Sequence, residues 1–290
     1  RESGLIFIVL ISLSTGCMYH LTLRRAFHLA AEAGFDGVEL DMGPEVWLRG
    51  APYVRRLAHE YGLAVFSVHP TLLRTSPKGM GAGRIADAVD AALKLASPVV
   101  VMHGPGTLRW ADPDAQDWLR QVALCQECLD GNGTRLALEN PGWYLARDKN
   151  TVLADLTVLY RFAQQHDLDV TLDTCHLGTS GMDLLEGYRL VRGRLVNLHF
   201  SDLRPRAFRF DSHPLRTLFS HHQMPGEGVL PLRALLRELA ADGYAGPISM
   251  EISPIALRAW SLKQLRANLV RAVEYVRSAV PVDALRRPPG

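Results

Sequence analysis

The chain has 290 residues, of which 48% are hydrophobic and 21% are charged, so it can bury a large core in one domain of barrel size. Its formal net charge of +2 excludes a strongly acidic or basic protein. A nucleic-acid partner is neither supported nor excluded, because a local basic face can exist within a balanced total. No apolar run reaches the roughly 20 residues of a membrane-spanning helix, so we expect a cytoplasmic protein without a membrane partner.

The first apolar run is Leu5–Leu13, and the residues Ser14–Cys17 follow it. This order faintly resembles a lipoprotein signal. However, the charges of Arg1 and Glu2 cancel, and the run is too short to span a bilayer. We therefore interpret it as a buried first strand.

Short β-branched runs alternate with amphipathic stretches along the chain, and this alternation predicts the elements in order. The predicted strands are Phe7–Ser12, Gly37–Leu40, Ala64–Val68, Val99–Met102, Arg135–Leu138, Asp169–Leu172, Leu195–Leu198 and Pro247–Met250. The predicted helices include Leu23–Ala33, Val54–Tyr61, Arg84–Leu95, Trp118–Leu129, Val152–Gln165 and Leu232–Ala241. Glycines suited to left-handed C-caps follow four periodic stretches: Gly34, Gly62, Gly131 and Gly243. Eight strands alternating with helices predict an α/β fold, a single (β/α)₈ TIM barrel.

The predicted barrel occupies residues 1–285 as one domain, and residues 286–290, with Pro288 and Pro289, are expected to form a loose C-terminal tail. No Gly-x-Gly-x-x-Gly follows the first strand, so no nucleotide cofactor is expected. Cys125 and Cys128 form a lone Cys-x-x-Cys in a helical pattern, without the second pair that completes a zinc site. We interpret them as partly buried helix cysteines.

Polar residues that can bind metals stand at or just after the ends of the strands from the second onward. In chain order they are Glu39, His69, His103, Glu139, Asp173 with His176, His199 and Glu251. The strand ends of a parallel barrel meet at one mouth, so these residues are expected to converge there. Each alone has an ordinary explanation, such as a core histidine or a helix N-cap. Buried acids without cationic partners are costly, however, and a divalent metal ion would neutralise the whole set.

Eight short motifs carry a resemblance to a known family. They are Glu32–Glu39, Val68–Pro70, Met102–Gly106, Leu138–Pro141, Leu172–His176, Asn197–Asp202, His222–Gly228 and Ser249–Ile252. They occur in the same order as in the xylose isomerase-like TIM barrel superfamily and cover nearly the whole chain, so the sequence resembles that superfamily. It includes sugar phosphate isomerases and epimerases as well as endonuclease IV and AP endonuclease family 2. The resemblance is specific for the superfamily and much less so for the activity.

The resemblance implies four core ligands for Mn²⁺, Zn²⁺, Co²⁺ or Mg²⁺: Glu139, Asp173, His199 and Glu251. In the nuclease branch, His69 and His103 would hold a second ion that Glu139 bridges.

A third ion would lie on His176 and His222 together with an aspartate two residues before His222. Ser220 stands at that position, and a neutral hydroxyl is a much poorer ligand than a carboxylate. An alternative register uses Asp211 and His213, but it loses the Gly-x-Gly anchor of the motif. Either way, the third site departs from the family pattern.

The first functional hypothesis is a metal-dependent sugar, sugar-phosphate or polyol isomerase or epimerase. Glu139 and Glu251 would exchange a proton through a metal-stabilised enediolate, and His176 would hydrogen-bond the developing charge. Five further residues are expected to contact a small-molecule sugar: Glu39, Trp110, Trp143, Arg204 and Arg206. Each tryptophan has an equal alternative as a packing anchor of its loop.

The second hypothesis is a zinc-dependent abasic-site phosphodiesterase of the endonuclease IV kind, for which DNA would be the partner. The contexts of His69 and His103 favour it. Ser220 and the lack of an obvious basic loop set count against it. A third hypothesis is a barrel that binds metal and polyol without turnover. The sequence is compatible with a homo-oligomer and does not specify one.

Overall fold

The chain folds into a closed barrel of eight parallel strands, seen in a computed structural model that describes residues 9–71, 83–205 and 219–279. The strands are β1 (Leu10–Ser14), β2 (Gly37–Asp41), β3 (Ala64–His69), β4 (Val99–His103), β5 (Arg135–Glu139), β6 (Asp169–Asp173), β7 (Leu195–Phe200) and β8 (Pro247–Met250). Each strand pairs with the next, and β8 closes the ring on β1 with Ile11 opposite Ile248. The predicted TIM barrel is confirmed.

Helices surround the barrel in the described part of the chain. They are α1 (Leu23–Ala33), α2 (Pro44–Tyr61), α3 (Gly83–Leu95), α4 (Pro113–Leu129), α5 (Leu156–Gln165), α6 (Thr174–Ser180), α7 (Leu184–Val191), α8 (Leu232–Ala241) and α9 (Leu262–Ala279). Short 3₁₀ turns lie at Thr15–Met18, Asp148–Asn150 and Arg192–Arg194. Among these helices, none combines the length and the apolar character needed to cross a bilayer.

The structure shifts two predicted boundaries near the start of the chain. Strand β1 ends at Ser14, two residues beyond the predicted Phe7–Ser12, and Phe7 itself lies outside the described residues. Helix α2 begins at Pro44 rather than at the predicted Val54. It is kinked at Gly50, whose φ of 71° is not helical. This break explains why the periodic pattern indicated only its second half.

Helix α5 also begins later than predicted, at Leu156 rather than Val152. The cause is Asp155, whose side chain accepts hydrogen bonds from the backbone N–H groups of Thr157 and Val158. A side chain that binds these otherwise unpaired donors fixes the first turn of a helix. Helices α6, α7 and α9 were not among the predicted helices.

The barrel interior is layered. A small apolar cluster of Val99, Val101 and Ala137, with Val196 packed against it, fills one part of the interior. A polar layer without solvent exposure comprises Ser12, Ser67, Thr171, Asn197 and Ser249. Side chains alternate along a strand, so the residue two positions further on faces the same interior. The polar layer is therefore followed by Asp173 after Thr171, His199 after Asn197 and Glu251 after Ser249.

Candidate metal centre

The carboxyl ends of β5, β6, β7 and β8 bring four ionisable side chains together. They are Glu139, Asp173, His199 and Glu251, and one possible ligand atom from each lies within 4.8 Å of the others. Glu139, Asp173 and His199 are buried, whereas the Glu251 side chain is 20% exposed. The four residues that the family resemblance singled out as a metal core thus form one group.

The Nδ1 atom of His199 lies close to all three carboxylates of this group. It is 3.2 Å from Glu139 Oε1 and 3.0 Å from Glu251 Oε2, and Asp173 Oδ2 lies 3.9 Å away. Asp173 Oδ2 and Glu251 Oε2 are buried and, apart from these charge contacts with His199, have no hydrogen-bond partner among the described residues. Buried like charges repel one another, and orphaned oxygens call for a ligand. This set of oxygen and nitrogen donors fits a divalent cation.

Glu39 lies behind His199, one layer below the mouth. Its Oε2 atom is 2.9 Å from His199 Nε2, and it also accepts hydrogen bonds from Ser67 Oγ (2.7 Å) and Asn197 Nδ2 (3.1 Å). With a hydrogen on Nε2 directed at Glu39, the Nδ1 atom of His199 is the one that faces the ligand group. Glu39 has no exposed surface, so the structure places it out of reach of a substrate, unlike the expectation from its position in the sequence.

A second group contains His69, His103 and Glu139, again with possible ligand atoms within 4.8 Å of one another. The two histidine Nε2 atoms are 3.2 Å apart, and they lie 3.5 Å and 2.7 Å from Glu139 Oε2. Glu139 therefore directs one carboxylate oxygen to each group. His69 is buried, while the His103 side chain is 47% exposed at the pocket.

In the third group expected from the family pattern, His176 and His222 with Ser220, the two histidines contact different partners. His176 Nδ1 lies 3.1 Å from Glu139 Oε1, and His222 Nδ1 lies 3.1 Å from the backbone oxygen of Glu251. The hydroxyl of Ser220 is buried and has no hydrogen-bond partner in the described chain. His222 has a φ of +47°, a left-handed conformation that is uncommon outside glycine. Asp211 and His213, the alternative pair, lie outside the described residues.

A thiol takes the place of the missing carboxylate in this third region. Asp173, Cys175 and His222 have possible ligand atoms within 4.8 Å of one another. However, Cys175 Sγ already accepts a hydrogen bond from the backbone N–H of His222 (3.2 Å), and burial raises the pKa of the thiol well above its ordinary value. A protonated thiol is a poor metal ligand, so this group is the least suited of the three.

Tyr144 belongs to the site, although the sequence did not single it out. Its Oη atom lies 3.4 Å from His222 Nε2, and its ring packs edge-on against His176 at 5.7 Å. Gly142 permits this packing, because a Cβ atom there would lie 2.7 Å from the Tyr144 ring and 2.8 Å from the His176 ring. The available signal was an aromatic pair after the β5 motif, from which the prediction chose Trp143.

A pocket of about 310 Å³ opens beside the metal centre. The residues that matter most for its chemistry are His103, Glu139, Tyr144, Arg147, Asp148 and His176. Its volume is at the low end of the range for small-molecule sites. His103 and Glu139 of the second group therefore face the same space as Tyr144 and His176.

Three expected substrate contacts, Trp110, Trp143 and Arg204, do not line this pocket. The ring of Trp110 stacks on Phe162 at 5.1 Å, and Trp143 Nε1 donates to the backbone oxygen of Ala154 (3.2 Å), so both tryptophans anchor their loops. Arg204 forms an ion pair with Glu227. Arg206 lies outside the described residues.

Burial and pairing together shift the pKa values of the site. Burial opposes the charges of Glu139 and Glu251, but the facing histidines outweigh it and hold both carboxyl pKa values well below their ordinary value. Burial raises the pKa of Asp173 to about 6. Burial opposes protonation of His69 and His176, yet nearby carboxylates raise their pKa values to about 9 and about 10. A metal ion must therefore displace protons from the histidines that it binds.

Comparison with known proteins identifies relatives along almost the whole chain. The sequence model of the xylose isomerase-like TIM barrel family matches residues 27–277. An uncharacterized protein of Mycobacterium leprae is 28% identical over 93% of this chain and 98% of its own length. Fructoselysine 3-epimerase of Escherichia coli O157:H7 is 23% identical, with coverage of 91% and 95%. A 3-dehydroshikimate dehydratase of Pseudomonas putida is 24% identical over 88% of this chain but only 40% of its own length.

Solved structures share the barrel. A D-tagatose 3-epimerase-like protein superposes with a TM-score of 0.69 at 19% identity, covering 93% of this chain and 96% of that protein. The 3-keto-D-glucoside 4-epimerase YcjR from E. coli gives a TM-score of 0.67 at 17% identity, with coverage of 93% and 99%. At these identities the likeness concerns the fold alone.

Proposed function

The chain belongs to the xylose isomerase-like TIM barrel family, and we propose that it is a divalent-metal-dependent isomerase or epimerase of a sugar, sugar phosphate or polyol. The observation that carries the proposal is the pair Glu139 and Glu251. Their carboxylates, from β5 and β8, both approach Nδ1 of His199 within about 3 Å. The near full-length similarity to a fructoselysine 3-epimerase supports the same reaction class.

The proposed metal ligands are the four residues of the first group: Glu139, Asp173, His199 and Glu251. A divalent cation there would polarise the substrate carbonyl and stabilise the negative charge that develops when a neighbouring proton leaves. Asp173 Oδ2 and Glu251 Oε2, which are buried and make no hydrogen bond among the described residues, support this fit. The donor set suits Mn²⁺, Co²⁺, Mg²⁺ or Zn²⁺.

The proposed proton transfer uses the two glutamates. Glu251 is ionised and partly exposed, so it can take a proton from a carbon beside the carbonyl. Glu139 serves the other face of that carbon, so that one glutamate accepts a proton and the other returns one, with no net change in composition. His176 Nδ1 faces the backbone oxygen of Asn140 (3.0 Å) and Glu139 Oε1 (3.1 Å). Its other ring nitrogen, Nε2, would donate a hydrogen bond to the oxygen on which charge develops, because nearby carboxylates raise the pKa of His176 to about 10 and favour the doubly protonated ring.

Proton exchange in D₂O tests the proposal directly. A panel of ketoses and aldoses is incubated with the protein and each divalent metal, and NMR follows the loss of carbon-bound hydrogen and the formation of an epimer. Glu139→Gln and Glu251→Gln should each slow exchange by at least about 100-fold. Glu127→Gln, the same change on the exposed surface of α4, should have no effect. Wild-type exchange rates in both site variants would contradict the proposed mechanism.

One observation favours a second candidate, a zinc-dependent abasic-site phosphodiesterase. The second group of His69, His103 and Glu139 could hold a further cation, and multi-metal sites stabilise the attacking and leaving oxygens of a phosphodiester. Elemental analysis of protein purified without added metal distinguishes the two functions. About one tightly bound ion supports the isomerase class, whereas near-stoichiometric occupancy by three zinc ions, with chelator-sensitive cleavage of an abasic-site duplex, supports the nuclease.

A further inference from the structure

A second cavity lies beside the barrel mouth, between the turn Thr15–Met18 and the first turns of α1 and α2. Its volume is about 340 Å³, which suits a small organic group. The described walls are mainly apolar and include Met18, Tyr19, Leu21, Leu23, Ala26 and Val46. None of these residues lines the pocket beside His176, so the two cavities have separate described walls.

Asp41 places a carboxyl group in the wall of this mainly apolar cavity. It is the last residue of β2, lines the cavity and pairs in register with His69 of β3, so it is next to both the cavity and the second group. Its backbone N–H donates to Thr15 Oγ1 (2.8 Å). No residue in the described ranges donates a hydrogen bond to its carboxylate or forms an ion pair with it. A carboxylate beside apolar surface is costly unless a donor or a cation reaches it.

Asp41 differs from the other acidic residue of the cavity, Glu45, in the partners of its carboxylate. Glu45 lines the same cavity, but its carboxylate accepts a hydrogen bond from the backbone N–H of Leu23 (2.8 Å) and lies 3.8 Å from Arg49 Nε. Gly16 leaves room at Asp41, because a Cβ atom there would lie 2.9 Å from Asp41 Oδ2. Among the described walls, Asp41 is thus the acidic group whose carboxylate has no hydrogen bond and no ion pair, although it lies in the field of His69.

From this arrangement we infer that the cavity is a subsite for an amine-linked apolar substituent of the substrate. The ammonium nitrogen would lie at Asp41, and the alkyl or aryl group would fill the apolar walls. An ammonium group supplies both the charge and the N–H donors that the carboxylate lacks. The sugar part would lie at the metal centre, and this part of the inference rests on the proposed function. The substrate class is therefore an N-substituted amino sugar.

Binding of simple probes tests the subsite without requiring turnover. The affinities of pentylamine, 1-pentanol and pentanoate are measured by titration calorimetry on the metal-loaded protein and again with chelator. Pentylamine should bind at least about ten-fold more tightly than pentanol, pentanoate should bind more weakly still, and the chelator should change nothing. Equal binding of the amine and the alcohol, or loss of amine binding with chelator, would overturn the subsite.

Two variants locate the probe. Asp41→Asn should weaken pentylamine binding at least about ten-fold. Asp90→Asn, the same change at an exposed residue paired with Lys94 on α3, should leave it unchanged. If Asp41→Asn does not fold by circular dichroism, Val46→Phe replaces it, because a larger side chain fills the cavity wall and should reduce binding of the amine. Undiminished binding in the folded variant would refute the assignment.

The amine subsite and the proposed reaction can be tested separately. Hydrogen exchange in D₂O is compared for an N-pentyl amino ketose and for the same ketose without the substituent. A lower KM for the substituted ketose supports the substrate class, and equal KM values contradict it. Absence of exchange with both ketoses, together with Asp41-dependent binding of pentylamine, would refute the proposed function and retain the amine subsite.

Discussion

Replacing Glu39 with glutamine removes one negative charge from the barrel interior while nearly preserving the shape of the side chain. Glu39 Oε2 receives three hydrogen bonds, and the one from His199 Nε2, at 2.9 Å, joins a proposed metal ligand to a fully buried carboxylate. A neutral amide keeps one acceptor but introduces an NH₂ group, which has no acceptor to bind if it faces His199 Nε2–H. The His199 ring would then lose the partner that sets its orientation.

The size of the effect follows from this contact. A hydrogen bond to a charged group contributes roughly 1.5–3 kcal/mol, and loss of such a partner behind a metal-binding histidine typically costs about 10–100-fold in metal affinity. We therefore expect the Kd for Mn²⁺ or Zn²⁺ to rise by about one to two orders of magnitude in Glu39→Gln. The fold should persist, because the volume of the side chain is unchanged.

Competition with a metal-binding dye measures this Kd, and circular dichroism verifies the fold. Glu45→Gln is the matched control, since Glu45 makes a backbone hydrogen bond to Leu23 away from the metal ligands. Its metal affinity should equal that of the wild type. A folded Glu39→Gln protein with unchanged metal affinity would refute the role assigned to Glu39.

Three further outcomes are expected. Metal-free protein should lose stability as the pH rises from about 6.5 to about 10, because His69 and His176 have folded pKa values of about 9 and about 10, above the unfolded value. Melting temperatures in EDTA measure this, and a rise with pH would contradict it. Asp202→Ala should destabilise the fold by about 3–5 kcal/mol, because the buried carboxylate accepts four backbone hydrogen bonds from the loop after β7. Urea denaturation tests this, with an unchanged midpoint as the adverse result. Tyr144→Phe retains the ring against His176 but removes the hydroxyl near His222, so we expect an unchanged melting temperature and slower exchange; wild-type exchange would limit Tyr144 to packing.

The barrel was predictable because its strands are short apolar runs at regular intervals, bounded by glycines and amphipathic stretches. The convergence of the polar strand-end residues was predictable for the same reason, since a parallel barrel carries all its strand ends to one mouth. Their division into a first and a second group followed from the family resemblance. The third region was not predictable. Cys175 faces His222 through the helical turn after β6, and no spacing in the sequence indicates that contact.

Whether Glu39 or Asp41 lies at the mouth of the barrel depends on one residue in the length of β2. The predicted second strand ended at Leu40, which made Glu39 look like a residue of the mouth. The observed strand continues to Asp41, and the two-residue period places Asp41 at the mouth and Glu39 one layer beneath it. Strand ends are set by pairing with the neighbouring strand, here Asp41 opposite His69, and that information is not local.

The shared carboxylate of Glu139 has a thermodynamic consequence. One oxygen faces His199 and the other faces His103, so the two ligand groups cannot bind cations independently. A cation in either group would polarise the same carboxylate and restrict its orientation. If a cation in the first group changes the affinity of the second group by some factor, a cation in the second group changes the affinity of the first by the same factor. Titrations with one metal and with mixtures of metals should therefore display reciprocal cooperativity, which links metal choice in one group to occupancy of the other.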